Sequence, residues 1–146
     1  MATISGFLAW CGELRSNAGM AESKKYEISV TTETQYLADQ SEPESGRYIF
    51  AYTITIRNTG NVPAQLISRH WIITDAESHV QEVRGLGVVG HQPLLKPDER
   101  FEYTSGCALT TAVGTMRGSY QMVAEDGTAF EVPIAEFALA IPRVLH

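Results

Sequence analysis

The sequence predicts an all-β protein, an antiparallel β-sandwich of the fibronectin type III or immunoglobulin-like kind with about seven strands. Three observations support this fold class. Apolar and polar residues alternate with a period of two from residue 25 onward, and turn-forming residues separate the alternating runs. No segment has the amphipathic pattern of a helix of ordinary length. The 146 residues, 44% of them hydrophobic, suffice for one domain with a real core.

The first half of the domain contains two clear alternating strands separated by a loop. Tyr26–Thr31 places Tyr26, Ile28 and Val30 on one face, and residues 40–46 form the loop. The second strand, Arg47–Asn58, has the longest alternating run. The residues on its apolar face are Tyr48, Phe50, Tyr52, Ile54 and Ile56. Such a strand aggregates when its edge is exposed, so we expect it inside a sheet or paired in a homodimer.

The turn after that strand and the strand that follows it complete this half. Asn58 to Asn61 includes Gly60 and tolerates positive φ, which suits a turn. In the next strand, Ala64–Asp75, the larger side chains share one face. They are Ile67, Arg69, Trp71 and Ile73. Trp71 is therefore the predicted central aromatic residue of the core.

Four further strands are predicted in the second half of the chain. They are His79–Arg84, Arg100–Cys107, Gly114–Ala124 and Ala129–Ile141, with a loop over residues 92–99. Asp126 and Gly127 form the dipeptide that favours a type I′ hairpin turn. Pro133 has no N–H to donate, so it predicts an edge position or a bulge for the last strand.

Charge, cysteine content and the N-terminal segment limit the class of protein. The net charge of −6 argues against binding to duplex nucleic acid, because phosphate contacts require clustered lysine and arginine. Cys11 and Cys107 lie in unlike contexts, so we expect no disulfide and a cytoplasmic location. Residues 1–22 are predicted to be a disordered extension preceding a domain at 23–146. The extension has neither the charge pattern of a signal peptide nor the length of a bilayer span.

A glycine-rich segment from residue 83 to 93 contains the string Gly-x-Gly-x-x-Gly at Gly85, Gly87 and Gly90. In a dinucleotide site this string ends a parallel strand and opens a helix whose amides bind the pyrophosphate. Here Pro93 and Pro97 follow the glycines, and no helical pattern succeeds them. The segment is therefore not predicted to bind a dinucleotide in that way.

Two interpretations of the glycines remain. In the first, they permit a bulge or a close backbone approach at the rim of the sandwich. In the second, the backbone amides around Gly85, Gly87 and Gly90 bind a phosphate or another anion, with help from Arg84 and His91. The structural interpretation is the preferred one. The anion site remains the candidate binding site.

The chain shows no sequence signature of catalysis. The four histidines lack metal-pair spacing, so no metal and no cofactor is predicted. Thr104 to Cys107 does not match the Gly-x-Ser-x-Gly elbow of serine hydrolases, and no acid and base pair emerges. We therefore expect a binding module rather than an enzyme.

Several residue strings resemble the hallmarks of the ApaG family, also called CorD. They are RYIFAYTITIRN at 47–58, RHWIITD at 69–75, VRGLGVVGHQP at 83–93, YTSG at 103–106, GTMRGSY at 114–120 and FALAIP at 137–142. The resemblance covers essentially residues 26–146, and the motifs occur in the family's order. Residues 1–19 lie outside it.

The resemblance implies a fibronectin type III-like sandwich and a bacterial origin, but it does not supply a reaction. Members are encoded near a diadenosine tetraphosphate hydrolase and are linked to cobalt and magnesium efflux phenotypes. Related domains occur in a eukaryotic F-box protein and in a DNA-polymerase-delta-interacting protein, where protein binding is expected. We therefore expect a protein partner. The alternatives are nucleotide or pyrophosphate binding at the glycine segment and an indirect role in metal efflux.

Overall fold

The computed structural model describes residues 25–142, so the extension predicted for residues 1–22 lies outside the described residues. The strands are β1 Ile28–Tyr36, β2 Tyr48–Asn58, β3 Ala64–Asp75, β4 Val80–Leu86, β5 Leu94–Leu95, β6 Arg100–Leu109, β7 Val113–Ala124 and β8 Ala129–Ala140. Two short 3-10 turns, Ala38–Gln40 and Pro43–Ser45, connect β1 to β2. Across the described residues, no helix is long and apolar enough to cross a membrane.

The strands form two antiparallel sheets. One has the order β1-β2-β6, and the other has the order β4-β3-β7-β8 with the two-residue β5 also paired to β3. The predicted all-β sandwich is confirmed, with β5 as an additional strand in the predicted loop. β4 is longer than predicted, because it includes Gly85 and Leu86.

The buried face of β2 forms much of one side of the core. Its buried side chains are Phe50, Tyr52, Ile54, Ile56 and Asn58, in strict alternation with less buried residues. β2 lies between β1 and β6, which confirms that this strand is internal to its sheet. β8, which contains Pro133, is an edge strand, as proline predicts.

The face assignment predicted for β3 is wrong at its start. The pairing of β3 with β7 shifts between Leu66 and Ser68, so Ile67 is an extra residue in β3. Such a bulge changes which side chains point inward. Leu66 is consequently buried before the bulge, and Trp71 and Ile73 are buried after it. The predicted burial of Trp71 is confirmed, whereas Leu66 occupies the core instead of Ile67.

Two turns also differ from prediction. Asp126–Gly127 is not a type I′ turn, because φ is positive at Gly127 but not at Asp126. Instead, the two-residue turn with positive φ at both positions is Val89 (42°) and Gly90 (83°). The turn after β2 has no positive φ among Asn58 to Asn61. The buried Asn58 amide closes it by donating to the carbonyls of Val62 and Leu95, both at 2.9 Å.

The two sides of the sandwich differ in how they are closed. On the side of β1 and β8, the Tyr26 hydroxyl donates to Asp126 Oδ2 at 2.7 Å. The Tyr26 and Phe130 rings also contact each other there, with centroids 5.3 Å apart. On the other side, β4 and β6 are the edge strands, and a cleft opens between them.

Replacing Gly118 in β7 by alanine is expected to destabilise the fold by about 3 kcal/mol, because interiors tolerate added atoms poorly. A Cβ atom at this position would lie 2.0 Å from the backbone oxygen of His70, and neither strand can move without disturbing the sheet. Urea unfolding of the full chain would measure the change in the free energy of unfolding.

The matched control is Gly106→Ala in β6, where the added Cβ would lie 3.6 Å from the Phe50 carbonyl oxygen, an ordinary contact. This variant should change the free energy of unfolding by less than about 1 kcal/mol. Equal effects of the two substitutions would contradict the close approach of β3 and β7 at Gly118.

Candidate functional site: a cleft between two edge strands

A cleft of about 460 Å³ lies between the two sheets at their open side. β6 forms one wall, and β4 with the turn after it forms the other. The lining residues include Tyr52, Arg69, Trp71, Val83, Val88, Tyr103, Ser105 and Cys107. None of the residues that line the cleft is an aspartate or a glutamate.

An aromatic cluster forms the base of the cleft. Trp71 packs edge-on against Tyr52, with ring centroids 5.5 Å apart, and against Tyr120 at 6.3 Å. Phe137 closes the cluster from β8, 5.9 Å from the Trp71 ring. Trp71 Nε1 is buried, and it is the one buried side-chain polar atom in the described part of the chain without a hydrogen-bond partner.

Two phenol groups meet beside this cluster. The hydroxyls of Tyr103 and Tyr120 lie 2.6 Å apart and are buried. Burial raises the pKa of Tyr103 to about 12, and it raises the pKa of Tyr120 further. Both groups are therefore protonated at neutral pH, and the two hydroxyls together carry two hydrogens but share one hydrogen bond.

Arg69 brings a positive charge into the interior side of the sandwich. Its register partner on β7 is Tyr120, whose side chain is fully buried, so Arg69 points to the same inner face. The charge of Arg69 lowers the pKa of Tyr52 and Tyr103, opposing the larger effect of burial. In the described residues, no carboxylate forms an ion pair with Arg69.

The glycine segment holds the Arg69 side chain in place. Arg69 Nη1 donates to the carbonyl oxygens of Leu86 at 3.1 Å and Gly87 at 2.8 Å. Gly85 is the register partner of Arg69, and a Cβ atom there would lie 2.9 Å from both terminal nitrogens of the guanidinium. The absence of a side chain at Gly85 therefore leaves room for the guanidinium.

The other two glycines serve the turn that follows. Gly87 has φ of 64°, and a Cβ atom there would lie 2.4 Å from the His91 carbonyl oxygen. Gly90 has φ of 83° with open space around it. The segment thus has the close backbone approaches and left-handed positions that the structural interpretation expects.

Several amides of this segment already have acceptors in the backbone. The Gly87 N–H donates to the Ile67 carbonyl at 2.8 Å, while Val88 and His91 donate to each other's carbonyls at 2.8 and 2.9 Å. These amides are therefore occupied in the fold. The predicted anion site at Gly85, Gly87 and Gly90 remains a prediction.

Arg84 and His91, the two side chains predicted to assist an anion, line separate depressions. Arg84 is exposed, lies 3.4 Å from the Glu82 carboxylate, and borders a depression with His70 on the outer face. His91 is exposed and packs its ring against Phe101, with centroids 5.7 Å apart. Neither residue lines the cleft.

The residues that line the cleft were not predicted as a site from the sequence. One signal was present, because Arg69 is a charged residue on the same strand face as Trp71. A charge on an apolar strand face is unusual, since buried charges need partners. Tyr103, Ser105 and Cys107 could not be linked to it, because the pairing of the two sheets is not visible in the sequence.

The described residues contain no group of three or more histidine, cysteine, aspartate or glutamate side chains placed to hold a metal ion. Cys107, on the β6 wall, is a free thiol. Burial raises the pKa of this thiol to about 11, so the protonated form dominates at neutral pH.

Two packed antiparallel sheets with one open side define a β-sandwich domain. The ApaG domain profile matches residues 38–124, more than half of the chain. The chain belongs to the ApaG domain family.

Close relatives extend this similarity over most of the sequence. Protein ApaG of Thiobacillus denitrificans is 68% identical over 127 residues, which is 87% of this chain and 100% of that protein. Protein ApaG of Ralstonia nicotianae is 70% identical over 122 residues, covering 84% of this chain and 98% of the relative. The family resemblance inferred from the motifs is confirmed.

A solved structure shows the same fold. The crystal structure of a Bordetella pertussis protein described as ApaA superposes with a TM-score of 0.81 at 63% sequence identity. The superposition covers 83% of this chain and 98% of that one.

Cys107 is expected to react slowly with iodoacetamide at pH 7.4, about a hundredfold more slowly than in the urea-unfolded chain, because thiolate is the reactive form. The rate should rise about tenfold per pH unit between pH 7 and 10, since the thiol pKa is about 11. Mass spectrometry of the Cys11→Ser variant would follow this one thiol. A rate that levels off below pH 9 would contradict the burial of the thiol.

Gly85→Ala is expected to displace the Arg69 guanidinium while changing the free energy of unfolding by about 1 kcal/mol or less, because the flexible end of an arginine can move aside. Gly87→Ala should cost about 3 kcal/mol, since both its φ and the nearby His91 carbonyl oppose a side chain.

Urea unfolding measures both costs, and the NMR signal of the Arg69 Nε–H group reports its environment. The expected result is a large shift of that signal in folded Gly85→Ala. An unchanged signal would show that Gly85 does not determine where the guanidinium lies.

Proposed function

We propose that this domain is a non-catalytic protein-binding module, and that the cleft between β4 and β6 binds an extended segment of a partner protein. The observation that carries the proposal is the open side of the sandwich, where two edge strands flank an aromatic cleft. An extended peptide adds to such an edge by backbone hydrogen bonds, while its alternate side chains enter pockets.

The hydrogen bonds of β2 establish which way its backbone groups point. The Leu37 N–H donates to the Ile49 carbonyl at 2.8 Å, so Ile49 faces the side of β1. The Asn58 N–H donates to the Glu99 carbonyl at 2.9 Å, so Asn58 faces β6. Backbone groups alternate in direction along a strand, and therefore even-numbered residues of β2 bond to β6.

The register of β6 then identifies its outward groups. The residues opposite the even positions of β2 include Tyr103, Ser105 and Cys107, and their backbone groups are used inside the sheet. The backbone N–H and C=O groups of Thr104, Gly106 and Ala108 point to the free edge. This edge can therefore accept a further strand beside the cleft.

One exposed apolar side chain stands beside the β4 wall. Val89, in the turn after β4, is 51% exposed and lines the cleft. Burial of this side chain against a partner segment is favourable, because it removes apolar surface from water. This contact would supplement the backbone pairing offered by β6.

The chemistry of the cleft favours binding over catalysis. A nucleophile or general base needs a pKa near the working pH. Burial moves the pKa of Tyr103 and Cys107 to about 12 and about 11, well above neutrality. With no carboxylate or histidine lining the cleft, these residues supply contacts and hydrogen bonds rather than proton transfer.

A library of random ten-residue peptides displayed on phage is expected to yield sequences that bind the full chain. Ala108→Pro should weaken binding of the selected synthetic peptides at least tenfold, because proline removes an outward N–H of β6. Fluorescence anisotropy with labelled peptides would measure the dissociation constants.

The matched control is Thr34→Pro in β1, the opposite edge of the same sheet. Its N–H also points outward, because Leu37 and the other odd-numbered residues of β1 bond β2. This variant should bind the peptides as the unchanged chain does. Selection of no peptide, or equal binding by the Ala108→Pro chain, would refute the proposal.

A further inference from the structure

In and beneath the cleft, several hydrogen-bond donors have no acceptor among the described residues. The buried Trp71 Nε1–H has no partner. The Tyr103 and Tyr120 hydroxyls share one hydrogen bond, which leaves one of their two hydrogens without an acceptor. Arg69 uses one terminal nitrogen on two carbonyls, and its other N–H groups remain available.

The cleft also has a positive charge without a negative partner in the described part of the chain. Arg69 contributes a full positive charge, it is partly buried, and it forms no ion pair within residues 25–142. The remaining polar lining comes from uncharged residues, namely Gln81, Ser105, Cys107 and the tyrosines. A partly buried charge is costly without a counter-charge, so the site favours an anion.

We propose that Arg69 is the specificity-determining residue of the cleft and binds a carboxylate of the partner segment, an inference that rests on the proposed protein-binding function. Ionised carboxylates only accept hydrogen bonds, and they match a guanidinium in a two-pronged geometry.

A carboxylate fits this site better than a phosphate does. The cleft has one cation, whereas a phosphate monoester or a pyrophosphate carries more negative charge than one guanidinium balances. The chain also has a net charge of −6, which disfavours a highly charged anion. A single carboxylate matches the single positive charge.

The strand geometry predicts where the acidic residue stands in the partner. In an extended segment paired with β6, every second side chain points to the cleft. Arg69 lies beside the aromatic base formed by Trp71 and Tyr52. The recognised segment therefore has an aspartate or glutamate with an apolar or aromatic residue two positions away.

The test uses peptides selected on the full chain and synthesised in pairs, with the acidic residue or its amide counterpart. We expect the acidic peptide to bind at least tenfold more tightly than its amide form. Arg69→Gln should remove this preference, so that the variant binds the acidic peptide and the amide peptide with equal affinity. Gly85→Ala keeps the positive charge but displaces the Arg69 guanidinium, so this variant should also show a smaller preference for the acidic peptide.

A second measurement does not depend on finding a peptide. Titration with 3-phenylpropanoate should shift the NMR signal of the Arg69 Nε–H group, and 3-phenylpropanamide should leave it in place. Pyrophosphate at the same concentration should shift it less than the carboxylate does. A shift with pyrophosphate but none with 3-phenylpropanoate would overturn the proposal in favour of a phosphate site.

The outcomes separate this inference from the function on which it rests. If peptides bind at the β6 edge but show no acidic preference, or keep it in Arg69→Gln, the Arg69 inference fails and the protein-binding function stands. If no peptide binds and 3-phenylpropanoate still shifts the Arg69 signal, the protein-binding function fails while the carboxylate subsite stands. Urea unfolding of Arg69→Gln verifies that the variant is folded.

Discussion

The extra residue at Ile67 in β3 determines which side chains enter the interior of this sandwich. Before it, Leu66 points to the core; after it, the inward positions are Arg69, Trp71 and Ile73. A strand with regular alternation would have kept Arg69 and Trp71 on the face opposite to Leu66. The aromatic base of the cleft and its positive charge therefore depend on one register shift.

The glycine segment is linked to this inward arginine in an unexpected way. A phosphate-binding loop offers its N–H groups to an anion, whereas here the carbonyls of Leu86 and Gly87 accept from a cation. Gly85 provides the space for that contact, and Gly87 with Gly90 makes the tight turn possible. The segment thus acts through Arg69, which it orients at the cleft.

The two open edges of the sandwich differ, and this difference places the cleft on the side of β4 and β6. Tyr26 contacts Asp126 and Phe130 at the side of β1 and β8. At β4 and β6 the sheets are separated by the cleft, and the free edge of β6 lies beside it. Free edges readily add strands, and the protein-binding function proposed above would combine backbone pairing at this edge with side-chain selection in the cleft.

The sequence by itself determined the sandwich class, the internal position of β2, the burial of Trp71 and the family, because alternation and ordered motifs are local features of the chain. It also marked the glycine segment, but it could not show what the glycines contact. The bulge at Ile67 and the two-residue turn at Val89 and Gly90 were not predicted from the sequence, since both depend on pairing with distant strands. Only the tertiary structure placed Arg69 beside Tyr103 and Trp71. Tyr103 belongs to the other sheet, and the inward direction of Arg69 and Trp71 depends on how β3 pairs with β7. A cleft between two sheets depends on contacts between residues far apart in the sequence, and the alternation of apolar and polar residues within one strand does not predict such contacts.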